Sequence, residues 1–468
     1  MKRRTKIVCT LGPAVDSREK IKELIDAGMN VARINCSHGD WQTRANWVTW
    51  IRELSPSVHP VAILADLQGP KFRIGEVTGG SMNLATGQMI TVGQTAESLI
   101  PIPSNEIFEA LTAGSRVLLG DGNVELKIAE QTGHAFVAKV LSGGQVKSRQ
   151  GVTLVGKSFN VPPLTPKDEQ DLYEAAKLGV EYIALSYVRT ASDMREFRRM
   201  VDKFDTQIGL IAKIETRDAV KALDEIIRCS DAIMVARGDL GLQVDLEEVP
   251  IIQKRIIEKC GEAGKPVITA TQMLESMIAS PRPTRAEATD VANAILDGTD
   301  AVMLSGETAA GQYPIEAVKT MARVAEAAED VFDHDAWLEL PDRRGYHLTT
   351  TEAVAYAAAK LAVRLKAKAI LTTTTSGQTA RLVSKFRPKA PILCASWDER
   401  THRKMGLVWG VISKMVPTPD STDDIMSNAI NAFLRDKKLK VGDQVVVTAG
   451  VPAGVPGHTN LILVETIH

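Results

Sequence analysis

The chain is built from short, continuously apolar runs that alternate with amphipathic helical segments. The first three runs, Lys6–Thr10, Asn30–Asn35 and Val61–Leu67, are separated by the predicted helices Ser17–Ala27 and Trp41–Leu54. Because a strand covered on both faces is apolar throughout, this pattern predicts parallel strands buried under helices. Five more runs follow: Tyr182–Val188, Ile208–Glu215, Ala232–Ala236, Val267–Gln272 and Ala301–Ser305. Eight such strands with helices between them predict a closed (β/α)8 TIM barrel.

Two other segments have a different pattern. Residues 70–166 carry paired glycines and short β-rich runs with little helical periodicity, which predicts a separate, small inserted β domain. After a polar link near Leu340–Gly345, alternating strands and helices predict an open, doubly wound α/β domain with a Gly/Pro-rich loop over Gly450–Thr459. The predicted domains are therefore 1–69 with 167–340 (barrel), 70–166 (inserted β domain) and 346–468 (C-terminal α/β domain). The C-terminal strands are predicted at Ala369–Thr374, Pro391–Ser396, Val411–Val416, Gln444–Ala449 and Leu461–Thr466.

Composition narrows the classes of function. The 468 residues include 56 Lys and Arg against 57 Asp and Glu, so no strong net field favours nucleic acid or a membrane surface. No apolar run reaches the roughly 18 residues of a spanning helix. The five cysteines are scattered without a CxxC pair, which is typical of reduced thiols in a cytosol. We therefore expect a cytoplasmic protein that binds neither nucleic acid nor membrane.

Polar side chains are concentrated where the predicted barrel strands end, and active sites of such barrels lie there. On the second strand Arg33, Asn35 and Ser37 alternate with apolar residues, so the three side chains share one face. An arginine beside two oxygen-bearing side chains suits a phosphate and a cation, although a solvated strand end has the same pattern. The third strand ends near Asp66, and two cations follow at the exit to the inserted domain, which is either a cleft mouth or a surface salt-bridge loop.

The fifth and sixth strands are the most informative. Lys213 and Glu215 are two apart on strand five and both point inward, where charge is costly without a partner or a task. Strand six leads into Gly238 and Asp239, in a turn whose N–H groups suit a carboxylate or phosphate. Glu215 and Asp239 are hard oxygen ligands of the kind that Mg²⁺ uses with substrate phosphates. Thr271 adds a hydroxyl at the end of strand seven.

Together these residues indicate phosphoryl transfer, in which a protein positions the reactants and neutralises charge rather than supplying a nucleophile. A purely structural Lys–Glu pair is the alternative for strand five taken alone.

Seven segments, in order along the chain, resemble pyruvate kinase. The resemblance runs from about residue 3 to the C-terminus and implies that family's barrel, an inserted β domain that acts as a lid over the cleft, and a terminal α/β domain. It implies transfer of the phosphoryl group of phosphoenolpyruvate to ADP, giving pyruvate and ATP in glycolysis, with Mg²⁺ or alternatively Mn²⁺. The segments are Lys6–Pro13, Asn30–Gly39, Ile211–Thr216, Met234–Gly241, Thr269–Met277, Pro281–Asp290 and Asp297–Thr308.

The resemblance also implies roles for individual residues. Lys213 would stabilise the transferring phosphoryl group and the enolate oxygen, and Arg33 would bind the phosphoryl group. Gly238 and Asp239 would present N–H groups to the substrate carboxylate, with the Thr271 hydroxyl beside them. Two further sets are implied: Glu215 and Asp239 for Mg²⁺, and Asn35, His38 and Arg73 for the nucleotide phosphates.

Two positions depart from the family pattern. Lys71 stands where most potassium-dependent members carry glutamate, near a monovalent-cation site that corresponds to Asn35, Ser37, Asp66 and the Leu67 carbonyl. We expect its ammonium to replace that cation, so that K⁺ is not required; a surface lysine paired with a neighbour is the alternative. Gln150 stands where many relatives have a nucleotide-binding lysine, and that role is not carried over.

A hydroxyl-rich loop joins the first strand and helix of the C-terminal domain. Hydroxyls and free N–H groups at a helix start suit a phosphate, and in relatives this loop holds a phosphorylated effector such as a sugar phosphate; AMP is a further candidate. Ordinary N-capping by Ser376 or a threonine is the alternative. The effector residues are predicted to be Thr373, Thr374, Ser376, Gly377 and Thr379.

Two rival functions remain at this point: a lyase or mutase that handles phosphoenolpyruvate on a similar barrel, and a catalytically silent regulator that only binds effectors. A lyase needs no nucleotide lid, and a binding protein needs no full set of charged residues. The resemblance further implies a homotetramer.

Overall fold

The computed structural model describes residues 3–157, 159, 161–345, 347–419, 421–450 and 459–468, and it begins with three parallel strands joined by helices. Helix α1 starts one residue later than predicted because Ser17 is its cap and accepts a hydrogen bond from Lys20 N–H. The elements are β1 (Lys6–Thr10), α1 (Arg18–Ala27), β2 (Val31–Asn35), α2 (Trp41–Leu54) and β3 (Ala62–Asp66).

The segment after β3 forms a separate β structure with its own apolar core, in which Val92, Ile100 and Leu126 are fully buried. A six-stranded sheet has the order β11-β7-β8-β9-β5-β6, and β10 pairs with β4. A short helix capped by Ser104 was not predicted. The elements are β4 (Ser81–Leu84), β5 (Met89–Gly93), β6 (Ile100–Pro101), α3 (Asn105–Ala110), β7 (Arg116–Leu119), β8 (Val124–Thr132), β9 (Ala135–Ser142), β10 (Gly144–Lys147) and β11 (Val152–Leu154).

The chain then returns and completes a closed barrel of eight strands, all parallel, in the order β1-β16-β15-β14-β13-β12-β3-β2. Strands β12 and β15 end earlier than predicted because Tyr187, Thr271 and Gln272 have φ of 56°, 67° and 53°, a conformation that cannot continue a strand. The elements are α4 (Pro166–Lys177), β12 (Tyr182–Leu185), α5 (Ala191–Val201), β13 (Gly209–Ile214), α6 (Arg217–Lys221), α7 (Leu223–Cys229), β14 (Ala232–Ala236), α8 (Arg237–Leu240), α9 (Val249–Ala263), β15 (Val267–Ala270), α10 (Arg285–Leu296), β16 (Ala301–Leu304), α11 (Gly306–Ala309) and α12 (Pro314–Asp330).

The C-terminal part is an open sheet in the order β19-β18-β17-β20-β21, with β21 antiparallel to its neighbour. The predicted link near Leu340–Gly345 is helical instead, because a proline starts a short helix that Gly345 ends in a left-handed conformation. Most of the predicted Gly450–Thr459 loop lies outside the described residues. The elements are α13 (His334–Leu338), α14 (Leu340–Arg344), α15 (Thr350–Arg364), β17 (Ala369–Thr373), α16 (Gln378–Lys385), β18 (Ile392–Ser396), α17 (Glu399–Lys404), β19 (Val411–Met415), α18 (Thr422–Arg435), β20 (Gln444–Ala449) and β21 (Leu461–Thr466).

The C-terminal part closes the floor of the barrel, which is the end where the strands begin. Leu407 is fully buried in the apolar cluster of the barrel lumen, together with Leu64 and Met234. The neighbouring Gly406 lies so close to the floor that an added Cβ would be 2.9 Å from the Asn30 carbonyl oxygen. The opposite end, where the strands finish, is therefore the open end of the barrel.

The predicted fold class is confirmed: a parallel eight-stranded barrel with an inserted β structure and a C-terminal α/β sheet. None of the helices in the described ranges has the length and apolar character that crossing a bilayer requires.

Candidate active site

The centre of the site is Lys213, near the end of β13. Its ammonium Nζ lies 2.8 Å from Glu215 Oε1 and 3.2 Å from Asp66 Oδ1, and it donates to Ser186 Oγ at 2.8 Å. Ser186 in turn donates to the Leu67 carbonyl at 2.7 Å. Burial disfavours the charged lysine, but the two carboxylates outweigh it and raise the pKa of Lys213. The ammonium therefore stays charged at neutral pH.

Asp66 joins this lysine to the arginine of the second strand. Arg33 donates from Nε to Asp66 Oδ2 at 2.7 Å and from a terminal nitrogen to Thr10 Oγ1 at 2.9 Å. Burial alone would raise the pKa of Asp66, yet Lys213 and Arg33 reverse that effect and lower it. Strands β2, β3 and β13 thus bring the predicted Arg33, Asp66 and Lys213 into one charged cluster.

Glu215 has the properties of a cation ligand. Its Oε2 accepts a 2.7 Å hydrogen bond from Tyr187 N–H, while its buried Oε1 accepts none of good geometry among the described residues and has only the Lys213 ion contact. Burial raises the pKa of Glu215, and the nearby Asp239 carboxylate raises it further. The negative charges of two neighbouring carboxylates repel each other, and a divalent cation bound between them relieves that repulsion.

The donor set fits Mg²⁺ better than a fully protein-bound metal. In the part of the chain that the structure describes, no group of three or more His, Cys, Asp or Glu side chains is placed to hold a metal ion. Mg²⁺ typically takes one or two carboxylates and completes its shell with waters and substrate phosphates. Glu215 and Asp239 could supply those two carboxylates.

Lys71 lies beside Asp239 rather than beside Asp66. Its Nζ is 3.6 Å from Asp239 Oδ1, and each side chain is about one-third exposed, at 32% and 31%. Asp66 already contacts two cations, so the predicted monovalent-cation cluster is charge-compensated without Lys71. Ser37 contacts Asn35 through its N–H group, at 3.1 Å from Asn35 Oδ1.

The loop after β15 is shaped by Arg237, which sequence reasoning missed although it lies in a quoted motif. Its guanidinium donates to the carbonyls of Ala270, Thr271 and Gln272 and forms two hydrogen bonds of 2.7 and 2.8 Å with Asp290. These contacts hold Thr271 and Gln272 at positive φ, which costs about 1–2 kcal/mol per residue. The signal available in the sequence was a cation directly before the Gly238–Asp239 turn.

Thr271 and Gly238 meet as predicted, with one difference. Gly238 N–H, expected to be free for a substrate carboxylate, donates to Thr271 Oγ1 at 2.9 Å, and that hydroxyl donates to the Ala270 carbonyl at 2.6 Å. The hydroxyl and the N–H group therefore lie together at the end of β15.

Two of the residues expected at the nucleotide, His38 and Arg73, lie at the rim of the open end of the barrel. His38 is exposed, and its carbonyl accepts from Arg44 at 2.7 Å. Arg73 is exposed at the base of the insertion and donates to the Arg149 carbonyl at 3.0 Å. Gln150 Oε1 accepts from Lys147 N–H at 2.9 Å and is engaged within the lid.

The predicted effector loop is ordered by its own hydroxyls. Thr374 Oγ1 accepts from Gly377 N–H at 2.9 Å, and the Thr379 hydroxyl pairs with that of Thr459 at 2.8 Å. Gly377, at φ 79°, is the N-cap of α16, and among the described residues no side chain caps the first turn of the helix, although the Thr374 hydroxyl accepts from the N-cap itself. Thr373, Thr374, Gly377 and Thr379 are buried, while Ser376 is partly exposed.

Comparison with known proteins identifies the class first: the chain is a phosphotransferase built on a parallel barrel. A family model described as "Pyruvate kinase, barrel domain" matches residues 2–318, and one described as "Pyruvate kinase, alpha/beta domain" matches residues 352–465. The chain belongs to the pyruvate kinase family.

Named relatives agree over the full length. The pyruvate kinase of Geobacillus stearothermophilus is 44% identical over 475 residues, covering 100% of this chain and 81% of that protein. That of Corynebacterium glutamicum is 42% identical over 472 residues, covering 100% and 98%. That of Clostridium perfringens is 40% identical over 472 residues, covering 99% and 100%.

Proposed function

We propose that this protein transfers the phosphoryl group of phosphoenolpyruvate to ADP, giving pyruvate and ATP in cytoplasmic glycolysis. The observation that carries the proposal is the Lys213 ammonium, held within 3.2 Å of two buried carboxylates at the open end of the barrel. We also propose three domains: a barrel formed by residues 1–69 with 167–340, a lid formed by residues 70–166, and a C-terminal α/β domain formed by residues 346–468.

The charged cluster would serve the transferred group. Lys213 and Arg33 supply two positive charges that face a phosphoryl group whose oxygens carry negative charge in the transition state. Asp66 fixes both cations, so no reorganisation is needed as the charge moves. After transfer, Lys213 stabilises the enolate oxygen, and protonation of the enolate gives pyruvate.

Glu215 and Asp239 would hold Mg²⁺, or alternatively Mn²⁺. The bound ion would neutralise charge on the phosphoryl oxygens. Gly238, Asp239 and Thr271 would position the carboxylate of the substrate beside these residues. Asn35, His38 and Arg73 would contact the nucleotide phosphates, since two of them lie at the rim below the lid.

The decisive experiment measures pyruvate release from phosphoenolpyruvate with ADP and Mg²⁺. Turnover is expected for the wild-type protein and should fall by about a thousandfold in Lys213→Met, the scale of losing a preorganised charge. The matched control is Lys203→Met, on the barrel exterior. No turnover in the wild type would favour the silent regulator, and consumption of phosphoenolpyruvate without release of pyruvate or formation of ATP would favour a lyase or mutase.

We propose that Lys71 makes K⁺ unnecessary. Its ammonium lies 3.6 Å from Asp239 and adds a permanent positive charge beside the proposed Mg²⁺ ligands. Turnover should therefore persist in tetramethylammonium buffer free of potassium, whereas Lys71→Glu should require added K⁺. Lys157→Glu is the control for a charge reversal nearby. Complete loss of wild-type activity without K⁺ would discard the role given to Lys71.

A phosphorylated effector, either a sugar phosphate or AMP, is proposed for the loop before α16. The support is that no side chain of the described residues caps the first turn of α16, so its first N–H groups can receive a phosphate. Fructose 1,6-bisphosphate, ribose 5-phosphate and AMP should be tested for a shift in the half-saturating phosphoenolpyruvate concentration. Ser376→Asp should abolish a shift, and no shift with any compound would contradict the site. A homotetramer is proposed from the family and is checked by light scattering.

A further inference from the structure

Tyr187 belongs to both the site and the base of the lid. Its N–H group donates to Glu215 Oε2 at 2.7 Å, so its main chain orients one of the two proposed metal-binding carboxylates. Its φ of 56° is uncommon for a residue with a large side chain. Such a conformation persists only where the surroundings enforce it, and the contacts of the ring identify what enforces it here.

The ring of Tyr187 packs against Gly69, three residues after the end of β3. A Cβ added at Gly69 would lie 3.1 Å from Tyr187 Cδ2 and 2.9 Å from Ser186 Cβ, so position 69 has no room for a side chain. The ring also lines the cavity between barrel and lid, together with Phe72 and Phe159. Those two rings meet edge to face, with centroids 5.1 Å apart.

Gly69 is where the chain leaves the barrel, and it is tied to the place where the chain returns. Its N–H group donates to Asp168 Oδ1 at 3.0 Å, and Asp168 is fully buried in the first turn of α4. The other carboxylate oxygen of Asp168 accepts from Thr165 N–H at 2.9 Å. Gly69 therefore lies at the junction of the barrel and the inserted domain, where a movement of the lid would pivot, and the Tyr187 ring touches that junction.

We propose that Tyr187 is a positioning residue that couples the pivot of the lid at Gly69 to the metal-binding carboxylate Glu215. A shift of the backbone at Gly69 pushes the ring, the ring turns the strained main chain, and the Tyr187 N–H group moves relative to Glu215. The phenol oxygen has no part in this coupling; the bulk of the ring is what matters. The inference rests on the proposed role of Glu215 in binding Mg²⁺.

The first measurement is binding of Mn²⁺ alone to the full-length protein, by electron paramagnetic resonance without substrates. Tyr187→Ala removes the ring, so the main chain can relax and Glu215 loses its donor. Loss of such a supporting contact should weaken Mn²⁺ binding by about 10- to 100-fold. Tyr187→Phe should bind Mn²⁺ like the wild type. Tyr173→Ala, at an exposed tyrosine on α4, is the matched control and should also leave binding unchanged.

Gly69→Ala provides a second variant, whose added Cβ would press on the Tyr187 ring and also on Ser186, the hydroxyl of which accepts from Lys213. It should weaken Mn²⁺ binding in the wild-type background and have a smaller further effect on binding in Tyr187→Ala, since only the push on Ser186 remains when the ring is absent. The melting temperature of each variant is measured to check that it folds. If Tyr187→Ala does not fold, the Mn²⁺ affinity of Gly69→Ala decides whether the inference holds.

Three results would overturn the inference: wild-type Mn²⁺ affinity in Tyr187→Ala or Gly69→Ala, equal loss in Tyr187→Phe and Tyr187→Ala, or additive losses in the double variant. If the wild-type protein binds no Mn²⁺, the inference and the proposed metal site fail together. Pyruvate release measured in parallel shows whether the proposed reaction survives that result.

Discussion

Replacing Arg237 by methionine tests whether the loop after β15 is held in place from behind. The guanidinium donates to three successive carbonyls, with the shortest contact 2.6 Å to Thr271, and it is anchored by both oxygens of Asp290. Among the described residues it makes no contact with the Lys213 cluster, so its effect on turnover should pass through the position of Thr271 and of the adjoining Gly238–Asp239 turn. Methionine keeps much of the side-chain volume and removes every donor.

The expected losses of stability and of kcat/KM in Arg237→Met follow from these contacts. Removing the guanidinium should cost about 1.5–3 kcal/mol of stability, the range for hydrogen bonds to a charged group, because the Asp290 side chain is 36% exposed and can be rehydrated. The freed loop can leave positive φ at Thr271 and Gln272, which recovers about 1–2 kcal/mol per residue and drives the relaxation. A displacement of about 1 Å at a binding group lowers kcat/KM by roughly 100-fold. That loss corresponds to about 2.7 kcal/mol of transition-state stabilisation.

The assay is the initial rate of pyruvate formation, with thermal unfolding measured on the same samples. Arg237→Met should lose about 100-fold in kcat/KM by the displacement argument. Asp290→Asn should lose much less, because Arg237 keeps its carbonyl contacts. Arg199→Met, at an exposed arginine of α5, should change neither quantity. An Arg237→Met protein that melts earlier yet keeps wild-type kcat/KM would refute the positioning argument.

Two further predictions concern stability. Burial, with smaller contributions from Arg403 and Lys414, lowers the pKa of His402 to about 4, from 6.5; the unfolded chain therefore takes up the proton first as pH falls. The contribution of neutral, buried His402 to the free energy of unfolding is complete above pH 6.5 and is lost between pH 6.5 and 4, by no more than about 3 kcal/mol. In His402→Asn the melting temperature should therefore fall less between pH 7 and 5 than in the wild type. An unchanged pH dependence of the melting temperature would contradict this. Gly406→Ala would place a Cβ 2.9–3.2 Å from three main-chain atoms of the barrel floor and should destabilise the protein by about 1–3 kcal/mol in denaturant titration. Gly261→Ala, with one contact at 3.5 Å, is its control, and equal stability of the two would refute the close approach.

The barrel strands, and the polar residues at their ends, could be predicted from the sequence alone. Alternation on β2 placed Arg33, Asn35 and Ser37 on one face, and the position of Lys213 on β13 indicated an inward side chain, because the two-residue period is a local property of a strand. The shared partner Asp66 could not be deduced, since it depends on which strands become neighbours when the barrel closes. Residues whose φ is set by tertiary contacts, such as Tyr187 and Thr271, were predicted to continue strands that in fact end before them.

Residue Leu407 places a constraint on the order in which the chain can become native. All eight barrel strands leave the ribosome before the residue that fills the lumen from below, because β16 ends at Leu304. Until the C-terminal part has emerged, the nascent barrel has an apolar opening at its floor, where water or another chain can enter. A barrel truncated after residue 345 would keep that opening permanently. The C-terminal part therefore contributes to the barrel's own core. A C-terminal part taken from a relative would pack correctly only if its residue at the Leu407 position were complementary in shape to the floor of this barrel.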